Sequence, residues 1–130
     1  MEFHSKENGF VGQFAYGELH VSGDEQYGFR PFQLLVSSIA VCSGGVLRKV
    51  LEKMRMPCTD MKVTAEVERN EEQANRIEKI HLHFVVIGEA LEEEKVRKAV
   101  DLARKNCPMA QSVEGSIVLT ESFEIVSRSA

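Results

Sequence analysis

Pro31-Phe32-Gln33-Leu34-Leu35-Val36-Ser37-Ser38-Ile39-Ala40-Val41-Cys42-Ser43-Gly44-Gly45-Val46-Leu47-Arg48-Lys49-Val50 decides the fold. Proline is favoured at the first helical position, where its missing N–H has no partner to lose. Apolar side chains then run almost all round the helical wheel through Val50, and a charged end, Leu51-Glu52-Lys53-Met54-Arg55, follows. The pattern predicts a central helix of about 24 residues that stops before Pro57. A bilayer span needs ~20 apolar residues. The richest apolar run, residues 34–47, is shorter and carries Ser37, Ser38, Ser43 and two glycines, so it reads as a buried helix and no membrane is expected. Gly44 and Gly45 each cost a helix interior about 1 kcal/mol relative to alanine. Something must approach the backbone closely there; a second helix, a partner subunit or a substrate would each serve.

Outward from this helix the chain changes period. Toward the N-terminus, Asn8-Gly9 and Gly23-Asp24 are turn signals, and residues 10–16 and 18–21 between them read as short strands of a β-meander linked near Gly17. On the other side, Met61, Val63, Ala65 and Val67 alternate with polar residues, as do Ile80, Leu82, Phe84 and Val86. These are two strands with one wet face each, joined through the polar stretch 69–76. Residues 91–106 return to helical spacing, with Val96, Val100 and Ala103 on one stripe. Cys107-Pro108 breaks that helix, Pro108 opens a short second one through Val113, and Glu114-Gly115 turns the chain into a last strand bearing Ile117, Leu119, Phe123 and Ile125. Strands clustered as hairpins beside helices predict an α+β domain of antiparallel sheets packed on the long helix. No linker or repeat divides the chain, so residues 1–130 are expected to form a single domain.

Composition narrows the function. Lys+Arg 16 against Asp+Glu 20 leaves a net charge of −4, with no basic excess to hold a nucleic acid or an anionic membrane. Residues 1–9 lack the apolar stretch of a signal peptide. Three cysteines cannot close as a set of internal disulfides, which fits a reducing, cytoplasmic setting. No metal-spaced cysteine pair, phosphate-binding glycine loop, serine-hydrolase or zinc-protease motif occurs, so no cofactor is expected. His81 and His83 share a strand face and are read as solvated residues.

The cysteines carry the chemistry. Cys42 lies on an apolar helical line with Leu35, Ile39 and Val46, the place of a small buried hydrophobe. Cys107 precedes a proline, at the expected N-cap of the short helix, where the helix dipole lowers a thiol's pKa. A thiol of pKa 8.5 is only about 3% thiolate at pH 7, and one near 6 is about 90%. Cys58, after Pro57 in a connection, has neither environment and is taken as incidental.

Residues 30–43, the ending Leu51-Glu52-Lys53-Met54-Arg55, and Asn106-Cys107-Pro108-Met109 together resemble the OsmC/Ohr family, named for osmotically induced protein C and organic hydroperoxide resistance, in its general OsmC-like branch. The resemblance covers residues 9 to about 126. It implies an intertwined homodimer with active sites at the subunit interface, and a cysteine-based peroxidase. Cys42 would attack an organic hydroperoxide and become a sulfenic acid, Cys107 would close a disulfide on it, and a cellular dithiol would reduce that bond. The dipole argument favours Cys107 as the lower-pKa thiol, whereas the resemblance makes Cys42 the attacker; the resemblance is followed. An apolar pocket from Leu35, Ile39 and Val46 would select alkyl tails at ~0.8 kcal/mol per CH₂. The family places an acid just after the proline to orient an arginine toward the thiolate. Here Phe32 and Gln33 stand in that place, Gln33 can hydrogen-bond a guanidinium, and Arg30 is the candidate arginine. The alternative is a non-catalytic dimer that binds a small hydrophobic ligand or senses redox state.

Overall fold

The structure is a computed structural model and describes residues 1–128. Its elements are β1 (Phe3–Lys6), β2 (Gly9–Gln13), β3 (Glu18–Val21), α1 (Pro31–Lys53), β4 (Asp60–Asn70), β5 (Arg76–Gly88), α2 (Glu93–Asn106), α3 (Pro108–Ser112) and β6 (Val118–Ser127). The chain divides into two compact units, Met1–Ser37 and the described residues from Ser38 onward.

In the first unit β1, β2 and β3 pair antiparallel in that order, which is the expected meander with one strand more on its N-terminal side. Register Lys6↔Gly9 leaves the two-residue turn Glu7-Asn8, in which Asn8 takes the left-handed conformation that asparagine tolerates, at φ 64°. Helix α1 begins at Pro31, where Gln33 Oε1 accepts the Arg30 N–H at 3.3 Å and so closes the first turn.

In the second unit β4, β5 and β6 form a sheet with β5 in the centre. Strand β5 alternates strictly: Ile80, Leu82, Phe84 and Val86 are buried and the residues between them half-buried. The polar stretch expected as a connection supplies the last residues of β4 and the first of β5, and the turn itself bends at Ala74 and Asn75, both at positive φ. One expectation is corrected. The sheets are not wholly antiparallel, because β6 runs parallel to β5, in register from Lys79↔Val118 to Gly88↔Ser127. The reason is the connection: α2 and α3 carry the chain back along the sheet before β6 begins, and such a crossover delivers a parallel strand.

Helix α1 ends as its residues dictate. Met56 N–H donates to the Leu51 carbonyl and Arg55 N–H to that of Glu52, a Schellman closure with Arg55 left-handed at φ 61°. Met56 is buried there, and Pro57 prevents continuation. Helix α1 meets the length and apolarity test of a membrane span. Ile39, Leu47 and Leu51 are nonetheless fully buried against protein, which makes it a core helix. A Cβ on Gly44 would come within 3.1 Å of Val63 Cγ2 on β4, so this glycine lets helix and strand approach. A Cβ on Gly45 would meet nothing within 4 Å.

Candidate thiol site

Cys42 and Ser43 are consecutive on α1, and both reach Cys107, which lies 65 positions after Cys42 in sequence. Pro108 lacks the N–H that would extend α2, so the backbone at Cys107 turns extended, φ −82° and ψ 112°, and α3 starts afresh. Cys107 thereby becomes the N-cap of α3, as expected, and its Sγ accepts the Ala110 N–H at 3.4 Å. The Ser43 hydroxyl donates to the same sulfur at 3.4 Å. The Cys42 thiol lies close enough to influence its ionisation.

The two thiols consequently shift in opposite directions. Burial pushes the Cys42 thiol up, a backbone hydrogen bond from Met109 opposes this, and the neighbouring Cys107 raises it further. Burial also pushes Cys107 up, but hydrogen bonds from Ser43 and Ala110, with the nearby Cys42 thiol and Met109 backbone, outweigh it and hold this thiol below its ordinary value. Access divides the other way: Cys107 is 0% exposed, whereas Cys42 is half-buried and reachable. Ser43, 1% exposed, carried no signal beyond standing beside Cys42 on an apolar helix; among the described residues no buried side-chain nitrogen or oxygen lacks a partner.

The other expected site residues lie as follows. The Arg30 guanidinium stacks 4.8 Å from the Phe32 ring centroid. The Gln33 carbonyl oxygen, expected on a guanidinium, takes the Arg30 backbone N–H instead. Ile39 is fully buried and Leu35 is 40% exposed. Val46 lines a cavity of about 380 Å³ between α1 and α2, with Val50, Met54 and Leu102, and Cys42 is not among its walls. Cys58 sits in a small cavity beside Arg48 and Asp60, its thiol pushed up by burial. His81 and His83, expected to be solvated, instead bond across to β6: Ser122 Oγ lies 2.8 Å from His81 Nε2 and 2.7 Å from His83 Nδ1, with Thr120 and Glu124 at the outer nitrogens.

The profile of the OsmC-like protein family matches residues 22–122. This chain belongs to the OsmC-like family. It is 32% identical to Protein YhfA of Escherichia coli over 123 residues, 91% of this chain and 90% of that one. A hypothetical protein from Aquifex aeolicus superposes with TM-score 0.87 at 29% identity, covering 98% of this chain and 95% of its own. The organic hydroperoxide resistance protein OhrB of Bacillus subtilis superposes with TM-score 0.68 at 19% identity over 95% of each chain, a likeness of fold. The expected OsmC-like α+β fold is thus the fold of this OsmC-like chain.

Proposed function

We propose that this OsmC-like protein is a thiol redox protein that reduces organic hydroperoxides through Cys42 and Cys107, working as a cytoplasmic homodimer. The observation that carries the reading is that Ser43, next to the half-buried Cys42 on α1, hydrogen-bonds the buried Cys107 sulfur at 3.4 Å, so that two cysteines far apart in sequence lie at one place. The OsmC-like match and the hydroperoxide resistance named for the Bacillus subtilis neighbour support the choice of oxidant. Cys42, as thiolate, attacks the outer peroxide oxygen. The O–O bond breaks, Cys42 becomes a sulfenic acid, and the alkoxide takes a proton and leaves as the alcohol. Cys107 then attacks the Cys42 sulfur, the S–O bond breaks, hydroxide leaves as water, and a disulfide remains. An external dithiol returns two electrons and two protons by thiol–disulfide exchange. Val46 is proposed to contribute apolar surface for the alkyl group, whereas Ile39, fully buried, offers none.

A second reading, a redox sensor or binder of a small hydrophobic molecule, is favoured by the state of Arg30 and Gln33: one stacks on Phe32 and the other closes a helix turn. Counting free thiols after one equivalent of cumene hydroperoxide separates the readings. Reduction of peroxide predicts the loss of two thiols, abolished by Cys42→Ser. Three thiols unchanged would exclude it.

A further inference from the structure

Ser43 has no part in the chemistry just described, yet its hydroxyl is buried and spends its proton on a sulfur. A neutral thiol is a weak acceptor, whereas a thiolate gains fully from donors aimed at it. Ser43 Oγ and the Ala110 N–H, each 3.4 Å from Cys107 Sγ, are held by two different helices. Both donors aim at the fully enclosed thiol, while Cys42 is the more exposed of the two. Negative charge is therefore placed where a peroxide does not reach, which is of no use for the first attack. It is of use for the second step, since closing the disulfide needs Cys107 as thiolate at the moment Cys42 becomes a sulfenic acid.

We propose that Ser43 is a positioning residue for the resolving step: its hydroxyl, aimed at the enclosed Cys107 sulfur, favours the thiolate there, so that the disulfide closes before a second hydroperoxide oxidises Cys42 further. This rests on the redox-pair reading above. The competing reaction is Cys42 sulfenic acid plus a second hydroperoxide, which gives the sulfinic acid and an alcohol and ends turnover. In closure Cys107 gives its electron pair to the Cys42 sulfur, hydroxide departs and is protonated by solvent, and Ser43 keeps its proton throughout. Removing the Ser43 hydroxyl lowers the Cys107 thiolate fraction at neutral pH by about tenfold, the value of one hydrogen bond to a charged group. Greater nucleophilicity of the more basic thiolate returns part of this, which leaves closure slowed about threefold.

The test compares wild type, Ser43→Ala and Cys107→Ser in two measurements. Ultraviolet titration of the thiolate needs no peroxide: the lowest-pH thiolate step is expected to move up in Ser43→Ala and to vanish in Cys107→Ser. Stopped-flow oxidation with cumene hydroperoxide, with sulfinic acid read by mass spectrometry, then separates attack from closure. Ser43→Ala is expected to form the sulfenic acid at the wild-type rate, close the disulfide more slowly and accumulate Cys42 sulfinic acid. That defect should fade as pH rises past the ordinary thiol range, a rescue that mere loss of packing would not show. An unmoved thiolate step in Ser43→Ala, or one retained in Cys107→Ser, overturns the proposal. Failure of wild type to react with hydroperoxide removes the peroxide reading, and the titration still decides Ser43.

Discussion

Cys42 and Cys107 share a site and a burial cost, and the donors around them decide how each responds. Two hydrogen bonds arrive at Cys107, from Ser43 and Ala110, and neither depends on a cation. Cys58, whose thiol is pushed up chiefly by burial, has no thiol partner. After one equivalent of cumene hydroperoxide it is expected to label fully with a maleimide, and Cys58→Ser should still lose two thiols; labelling of Cys58 followed by mass spectrometry checks this. The proposed pairing was legible only through the family resemblance, since Cys within an apolar helix reads by itself as a small buried hydrophobe and Cys-Pro at a helix junction as an N-cap. Ser43 was not, because its role depends on a sulfur 64 positions away. Gln33 meets a local demand of the helix end: the first turn of α1 leaves N–H groups without partners, and its amide oxygen takes that of Arg30.

At the scale of elements, helix ends and the α2–β6 cleft carry measurable consequences. Arg55 holds a left-handed conformation at the end of α1 that costs a side-chain-bearing residue about 1 kcal/mol. Arg55→Gly is expected to raise stability by somewhat less than that, because glycine also loses more freedom on folding; the midpoint of urea unfolding should rise. Glu121 on β6 faces the cleft lined by Arg97, Asp101 and Arg104. Burial raises its pKa, Arg104 opposes the rise and Asp101 adds to it. A carboxyl whose folded pKa lies above its unfolded value of 4.5 contributes stability below pH 4.5 and loses it as pH climbs through the raised value. Glu121→Gln should therefore unfold like wild type near pH 4 and be more stable than wild type at pH 7, read by thermal unfolding at the two pH values. The strands of β4 and β5 and the reach of α1 could be read from period alone. The direction of β6 could not, since apolar alternation is the same whether a strand enters a sheet from one end or the other.

Across the whole molecule, the −4 charge and the apolar long helix bear on assembly more than on chemistry. Val41, beside Cys42, is 73% exposed, and Gly45 faces open space within this chain. A second copy packed against this stretch of α1 would account for both. Gly45→Ala is then expected to weaken self-association in sedimentation, despite the better helix propensity of alanine. An undiminished dimer with a stabilised chain would place the partner elsewhere. The claim on which the function stands is the pairing of Cys42 with Cys107, and peptide mapping of hydroperoxide-treated protein under non-reducing conditions tests it most directly. The pairing predicts one linked species joining the peptide of Cys42 to that of Cys107, lost in either serine variant and restored to free thiols by a dithiol. A bridge through Cys58, or oxidation of Cys42 with no link to Cys107, would contradict it.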